Sequence, residues 1–257
     1  MYGSEARPDS RTAETRPGGV DPEGALFPNS EFYATSGDAN RIMDPTCFSP
    51  EIAQFIGDEQ RFVENFLAHE RYECVVEVGC HAGRNCCWLS RLCGTYVGID
   101  IDPRAIERAR AEHQAPGKVE FFCATAESLL SNVLTQENHP HPRYTAVLYP
   151  FNLFGNFIGV KQLLRTLDAM NVDVALSNFN TKSATTIGRY KYYANCFDKA
   201  TIRVFDGEQG VLFKAGRHFQ SIAYNRSYLS EIIRATSRYH GTIMSFSIYG
   251  DLCLLTR

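Results

Sequence analysis

Two carboxylates that end predicted strands, and two glycines beside the first of them, are suited to binding a nucleotide-like ligand. An apolar, β-branched run ends around Glu77, and Gly79 and Gly83 follow it. One predicted helix later, a second apolar run ends at Asp100. Two strands that each end at a polar group, joined by a helix, form half of a nucleotide-type site. The glycines allow a sharp turn and a close approach to a ligand, and Asp100 is placed to accept hydrogen bonds from a ribose.

The spacing of the glycines separates two kinds of ligand. A dinucleotide fold uses G-x-G-x-x-G, because a pyrophosphate rests on a helix N-terminus. Here the pattern is Glu77-x-Gly79-x-x-x-Gly83, and a carboxylate before the turn would repel a pyrophosphate. It would instead accept from an ammonium group, such as that on the amino-acid end of S-adenosylmethionine. A nicotinamide oxidoreductase is disfavoured by this spacing and by the absence of a Tyr-x-x-x-Lys pair.

This segment resembles motif I of the class I S-adenosylmethionine-dependent methyltransferases, often written E-x-G-x-G-x-G. His81 stands where the central glycine of the motif lies, and the two other glycines match. The substitution puts a side chain near the methionine part of the cofactor. The resemblance implies that this loop binds the cofactor through Glu77, Gly79, Cys80, His81, Gly83 and Asn85.

Three later segments continue the resemblance in the same order. Asp100 matches the acid of motif II, which binds both ribose hydroxyls. Thr125 occupies the place of an acid that faces adenine, and the run from Leu148 to Asn156 is similar to motif IV, which faces the methyl group. Helix capping alone explains Asp102. The further cofactor contacts implied by these segments are Asp100, Ile101, Thr125, Ala126, Glu127 and Tyr149.

Apolar runs that alternate with helices favour a parallel sheet covered on both faces. The family resemblance implies an α/β, Rossmann-like sheet of seven strands in the order 3-2-1-4-5-7-6, with a small β insert before the last helix. A hairpin is predicted around 206–210, and a terminal hairpin forms the last two strands. The parallel strands are predicted over Glu73–Val78, Thr95–Ile101, Val119–Phe122, Thr145–Tyr149 and Val172–Ser177.

Composition divides the chain into three segments. Residues 1–24 are rich in Pro, Gly and charged residues, which is typical of a disordered arm. Residues 25–70 are predicted to form a helical lid that covers the substrate, with a helix that begins at Ser49 and Pro50. Residues 71–257 are predicted to form the methyltransferase core, with an insert near 190–224.

The whole-chain composition is that of a compact enzyme. The chain has 257 residues, 44% of them hydrophobic, and a net charge of −3, so no electrostatic footprint for nucleic acid is present. No apolar run approaches the roughly 18 residues of a membrane span, and no secretory signal is recognised. Nine cysteines without a C-x-x-C pair indicate reduced thiols in a cytoplasmic protein and no metal site. A homodimer is compatible with these features.

The chemistry expected from the resemblance is in-line methyl transfer from a sulfonium, which depends mainly on positioning. An amine acceptor needs only a local proton acceptor, whereas a hydroxyl or carbon acid needs a base such as histidine. The motif IV segment contains no obvious base, only Asn152, which favours transfer to an amine nitrogen of a small secondary metabolite. The alternatives are O- or C-methylation with His218 or His81 as base, and a protein that binds the cofactor without catalysis.

The acceptor site is expected between the motif IV segment, the aromatic residues near the N-terminus and the insert. In an open parallel sheet, ligands bind at the carboxyl ends of the strands, where the strand order reverses. The residues predicted to act on the acceptor are Asn152, His218 and Tyr33.

Overall fold

The computed structural model describes residues 32–33, 38–125, 128, 144–157 and 159–256. The predicted disordered arm over residues 1–24 lies outside these ranges. So do the predicted cofactor contacts Ala126 and Glu127.

The central sheet has seven strands in the order β3-β2-β1-β4-β5-β10-β9. The first five of these are parallel, and β10 is antiparallel to both of its neighbours. This confirms the predicted order 3-2-1-4-5-7-6, because β9 and β10 are the sixth and seventh strands of this sheet along the chain. The strands are β1 (Cys74–Val78), β2 (Thr95–Asp100), β3 (Val119–Cys123), β4 (Thr145–Tyr149), β5 (Asp173–Phe179), β9 (His240–Ser245) and β10 (Gly250–Thr256).

Helices cover both faces of this sheet. On one face, Leu163, Leu167 and Ile232 pack in one apolar cluster, and on the other, Val63 and Ile106 pack in a second. Strands β1 and β4 are buried along their whole length, as expected for parallel strands between two helical layers. The helices are α1 (Asp38–Ile42), α2 (Pro50–Glu70), α3 (Cys86–Leu89), α4 (Pro103–His113), α5 (Val160–Met170), α6 (Ser183–Cys196) and α7 (Arg226–Thr236).

Helix α2 begins where the sequence predicts and is fixed to the core. The Ser49 hydroxyl accepts a hydrogen bond from the Ile52 amide at 3.3 Å, and Pro50 occupies the first turn. The same hydroxyl donates to the carbonyl of Gly188 in α6 at 3.1 Å. A Cβ on Gly188 would lie 2.7 Å from the Cβ of Glu51, so α2 and α6 pack at close range.

A small antiparallel sheet lies between α6 and α7 in the chain. It consists of β6 (Arg203–Gly207), β7 (Gly210–Ala215) and β8 (Phe219–Tyr224), in the order β6-β7-β8. Its inner residues Phe213 and Phe219 join a third apolar cluster with Phe55 of α2 and Tyr193 of α6. This cluster forms a wall beside the carboxyl ends of β4 and β5.

Two helices differ from the sequence prediction. The sequence pattern after Gly83 predicts a helix over Arg84–Cys93, but the α-helix there is only α3. It ends at Leu89 because the Leu92 amide donates to the Leu89 carbonyl, three residues back, at 2.9 Å, in the 3-10 pattern. Helix α6 was not predicted, since Thr185, Thr186 and Gly188 have low helix propensity. Its contacts with α2 and with the small sheet stabilise it instead.

Of the helices in the described ranges, none combines the length and the apolar character needed to cross a membrane.

Candidate active site

A cavity lies at the carboxyl ends of β1, β2, β4 and β5, where the strand order reverses between β1 and β4. Its acidic end is lined by Glu77–His81, Arg84, Asp100–Asp102 and Ala124. Its aromatic end is lined chiefly by Tyr33, Phe151, Phe179, Tyr192, Tyr193 and Phe219. The two ends belong to one continuous cavity.

The turn after β1 has the left-handed backbone that its glycines permit. Gly79 has a φ of 71° and Gly83 a φ of 80°, and a Cβ on Gly79 would lie 2.7 Å from the Leu153 side chain. His81 has a φ of 50°, so it keeps the left-handed conformation expected of the glycine it replaces. Its amide donates to Asp100 Oδ2 at 2.8 Å, which links the turn to the end of β2.

Asp100 organises the acidic end. Besides the His81 amide, it accepts the Asp102 amide at 2.9 Å through Oδ1. Burial raises the pKa of Asp100, and the two amide hydrogen bonds oppose that rise. Each carboxylate oxygen has a second acceptor position, so Asp100 keeps the capacity to accept from a pair of hydroxyls.

Two side-chain hydrogen bonds fix the orientation of the Glu77 carboxylate. Glu77 is 2% exposed; Oε1 accepts from Asn85 Nδ2 and Oε2 from the Tyr96 hydroxyl, each at 2.6 Å. Burial raises the pKa of Glu77, while these two hydrogen bonds lower it. Asn85 is not among the residues that line the cavity, so its observed contact is with Glu77.

Arg84 is a site residue that the sequence analysis missed. It lines the cavity beside Glu77, and its Nε and Nη1 atoms are buried without a hydrogen-bond partner in the part of the chain described. Its guanidinium carbon lies 5.5 Å from the centre of the Phe151 ring. Unpaired guanidinium N–H groups are suitable donors for a carboxylate. Glu77 and Arg84 together therefore fit the ammonium and the carboxylate of an amino acid, and the only sequence signal was a cation directly after Gly83.

The other predicted cofactor contacts divide into two groups. Cys80 and Ile101 line the acidic end. Thr125 accepts from the Ser128 amide at 3.2 Å, and its neighbour Ala124 lines the cavity in its stead. Tyr149 is fully buried below the cavity, where its ring packs against Phe157 with 5.8 Å between centroids.

Asn152 joins three elements at the exit of β4. Its Nδ2 donates to Ser221 Oγ and to the Ile222 carbonyl, each at 3.1 Å. Its Oδ1 accepts from the Phe179 amide at 2.8 Å. With 1% of its surface exposed and all of these contacts made to the scaffold, Asn152 orders the loop between β4, β5 and β8.

Glu59 is a second residue that the sequence analysis missed. It lies on the buried face of α2 together with Phe55 and Val63, and its Oε1 accepts from the Phe151 amide at 2.7 Å. Burial raises the pKa of Glu59 to about 7. A glutamate at an apolar position of a helical repeat was the signal that would have found it.

The remaining predicted acceptor residues lie in different places. Tyr33 lines the aromatic end, and its hydroxyl accepts from Asn156 Nδ2 at 3.0 Å. His218 is exposed in the turn between β7 and β8, and the cavity is lined there by Phe219 instead. His81 lines the acidic end, and burial lowers its pKa.

A family model described as a methyltransferase domain matches residues 75–150. This range contains β2, β3, β4 and all of β1 except Cys74. A search of curated protein sequences found no match.

Solved structures with the same fold include three methyltransferase-like chains. The Burkholderia thailandensis 1,6-didemethyltoxoflavin-N1-methyltransferase has 13% identity and a TM-score of 0.52, over 89% of this chain and 87% of that one. The DhpI–SAM–HEP complex has 11% identity and a TM-score of 0.55, over 90% and 96%. The plantazolicin methyltransferase BamL has 13% identity and a TM-score of 0.51, over 85% and 96%. At these identities, the similarity establishes the fold.

The matched family model covers the strand ends that carry Glu77 and Asp100. The sheet order is the one expected for this family. The cavity at these strand ends is lined by Glu77, Arg84 and Asp100. Residues 75–150 are therefore similar to a methyltransferase domain, and the chain has the fold of solved methyltransferases.

Proposed function

We propose that the protein methylates a small organic molecule bound at the aromatic end of the cavity, with nitrogen as the acceptor atom. The observation that carries this proposal is the continuity of the acidic and aromatic ends in one cavity. S-adenosylmethionine supplies an electrophilic methyl group on a sulfonium. The protein's own contribution is to hold both molecules and to exclude water from between them.

The acidic end provides partners for the ammonium group, the carboxylate and the ribose of the cofactor. Glu77 accepts from the ammonium group, Arg84 donates to the carboxylate, and Asp100 accepts from the ribose hydroxyls. Asn85 and Tyr96 keep Glu77 oriented through their hydrogen bonds. The backbone of Gly79 leaves no room for a side chain beside Leu153.

The aromatic end suits a flat, partly apolar acceptor. Phe151, Phe179 and Phe219 offer ring surfaces, while the Tyr33 hydroxyl, which accepts from Asn156, provides a polar contact. Pockets of this composition are typical of small-molecule sites. Two of the structural neighbours are a 1,6-didemethyltoxoflavin-N1-methyltransferase and a plantazolicin methyltransferase, which supports a small molecule as the acceptor of this protein also.

The choice of nitrogen rests on the groups that face the acceptor. The described residues at the aromatic end include neither a histidine nor a carboxylate. Burial raises the pKa of Tyr33 and Tyr192, so both keep their protons at neutral pH. Such a site favours an acceptor atom that attacks without help from a strong base.

Oxygen or carbon methylation is the second candidate, with His81 as the base. Burial lowers the pKa of His81, which keeps the imidazole neutral and able to accept a proton near pH 7. His81 is the histidine among the described residues that line the cavity. The proposed location is the cytoplasm, which nine unpaired cysteine thiols support, and a homodimer stays a prediction.

A turnover assay tests the proposed function. The protein is incubated with S-adenosylmethionine and a library of aromatic amines, nitrogen heterocycles, phenols and enols, and S-adenosylhomocysteine and methylated products are measured by mass spectrometry. We expect N-methylated products, and none with Asp100→Ala at the same cofactor concentration. Products methylated only on oxygen or carbon would favour the second candidate, and their loss in His81→Ala would identify the base.

A further inference from the structure

A buried arginine without a carboxylate partner lies in α6. Arg189 has 0% of its surface exposed. Its Nη1 donates to the Val211 carbonyl at 3.0 Å and its Nη2 to the Ser221 carbonyl at 2.8 Å. Nη2 also donates to Ser221 Oγ at 3.4 Å. Among the described residues, Nε finds no hydrogen-bond acceptor and no carboxylate forms an ion pair with the guanidinium.

The surroundings of Arg189 compensate its charge only in part. Its guanidinium carbon lies 4.5 Å from the ring centre of Phe213, 5.2 Å from that of Phe179 and 5.8 Å from that of Tyr193. Ring faces and carbonyls stabilise a cation, but buried charges in proteins are normally paired with an opposite charge. An arginine side chain stays protonated even where burial lowers its pKa. A permanent positive charge is therefore held inside the protein.

This charge lies directly behind the aromatic end of the cavity. Phe179, Tyr193 and Ser221 all contact the guanidinium, and all three line the cavity. The carboxylates among the described lining residues are at the opposite, acidic end. In a site of low dielectric, a charge one side chain away acts strongly on a ligand. The aromatic end thus favours a negative charge over a neutral or positive one.

We propose that the acceptor binds as an anion, namely a deprotonated heteroaromatic N–H acid, and that Arg189 sets this preference through Ser221 and Tyr193. The proposal rests on the proposed function, since it specifies the acceptor for that same site. It assigns Arg189 a positioning role, because the guanidinium acts on the acceptor through the residues that line the cavity.

The transfer step balances without a base. The lone pair of the nitrogen anion forms a bond to the methyl carbon, and the bond between that carbon and sulfur breaks with its electron pair returning to sulfur. The negative charge of the acceptor and the positive charge of the sulfonium cancel. The products are a neutral N-methyl heterocycle and a neutral thioether. No proton leaves in this step, which accounts for an aromatic end whose described residues include no histidine or carboxylate.

The test on the unmodified protein uses three compounds that share a phenyl group and a five-membered ring. At about pH 7.5, 5-phenyltetrazole is an anion, 4-phenyl-1,2,3-triazole is neutral and 3-phenylpyrrolidine is a cation. Binding to the S-adenosylhomocysteine complex is measured by calorimetry, and methyl transfer from S-adenosylmethionine by mass spectrometry. We expect the tetrazole to bind at least about tenfold more tightly than the other two, and to be methylated.

The outcomes separate this inference from the proposed function. If the neutral or cationic compound binds as tightly as the tetrazole, the anion preference is wrong while small-molecule methylation stands. If none of the three compounds binds or is methylated while the library of the turnover assay yields methylated products, the anion preference is wrong and small-molecule methylation again stands. If the library yields no product either, both proposals fail.

Variants of Arg189 test its own part. Arg189→Gln is expected to abolish the tenfold preference for the tetrazole and to leave the affinity for S-adenosylhomocysteine unchanged. Arg189→Lys should retain most of the preference for the tetrazole. Arg165→Gln removes an exposed arginine from α5 and should alter neither quantity. The comparison of the three compounds needs no variant, so poor folding of Arg189→Gln leaves the test intact. A folded Arg189→Gln protein that keeps the full anion preference would overturn the assignment to Arg189.

Discussion

At the scale of single residues, ionisable side chains withdrawn from water are concentrated around one cavity. Burial raises the pKa values of Glu59, Glu77 and Asp100, while Arg84 and Arg189 keep unpaired guanidinium N–H groups. Perturbed groups of this kind cluster at functional sites. The charges of Glu77, Arg84 and Arg189 are opposite to those of the ligand groups that we propose to bind beside them.

Asp100 is expected to carry much of the cofactor affinity. Asp100→Ala removes a charged acceptor from the ribose and should weaken S-adenosylhomocysteine binding by about 2–3 kcal/mol, the scale of hydrogen bonds to charged groups. Calorimetry measures the change. Asp198→Ala, which removes the cap of an exposed turn, is the control and should bind normally. Unchanged affinity in Asp100→Ala would place the ribose elsewhere.

Glu59 is expected to make stability depend on pH. Its pKa is raised from 4.5 to about 7 by burial, so the folded state binds a proton that the unfolded state has released between these values. Its contribution is fully present below about pH 4.5 and is lost as the pH rises through about 7, with a total change of about 3 kcal/mol. Urea unfolding of Glu59→Gln should show a smaller loss over this range. Glu70→Gln, at the exposed end of α2, should behave like the unmodified protein, and an unaltered profile in Glu59→Gln would refute the assignment.

Asn152 is expected to affect stability as well as turnover. Asn152→Ala leaves the Phe179 amide without its acceptor and places alanine at a φ of 55°, which should cost about 3 kcal/mol of unfolding free energy. Denaturant unfolding measures it, with Asn65→Ala at an exposed position of α2 as control. A normal stability with reduced turnover would instead support the direct acceptor contact that the sequence suggests.

At the scale of elements, α2 and α6 decide the shape of the aromatic end. Glu59 of α2 holds the Phe151 amide, while α6 supplies Tyr192 and Tyr193 to the lining. The two helices meet at Gly188, where any side chain would collide with Glu51. Their close packing therefore sets the distance between two walls of the cavity.

Gly188→Ala should separate these helices. The new Cβ would lie 2.7 Å from the Glu51 Cβ, and we expect a loss of about 1–3 kcal/mol in stability together with a raised KM for the acceptor. Gly57→Ala in α2 is the matched control, because its nearest neighbour would be Arg61 at 3.9 Å, and helix propensity favours the alanine. Equal stability of the two variants would show that α2 and α6 can move apart without a measurable loss of unfolding free energy.

The sequence predicts strands and helices well where burial alone determines the order of apolar and polar residues. The run Thr145–Tyr149 is a strand with the predicted bounds, because both of its faces are buried and its residues are apolar. The start of α2 is equally clear, since Ser49 and Pro50 carry local cap chemistry. Helix α6 is not visible in the sequence, because its low-propensity residues are held by partners distant in the chain.

At the scale of the whole molecule, the acidic end of the cavity can be predicted from the sequence, whereas the aromatic end cannot. Glu77 and Asp100 follow local strand patterns, so they are recognisable from spacing. The aromatic end gathers Tyr33, Phe151 and Phe219 from segments far apart in the chain, and only the folded structure brings them together. His218 illustrates the limit, because one position separates its exposed side chain from Phe219 in the lining.

The central claim is that this protein methylates a small molecule with S-adenosylmethionine as donor. The most direct measurement supplies a donor with an isotopically labelled methyl group to the protein, together with an extract of the cells that produce it. We expect the label to move to a compound in the low-molecular-weight fraction. The NMR spectrum of the labelled methyl group should then show that it is attached to nitrogen. A label that stays on the donor, or that appears only on macromolecules, would contradict it.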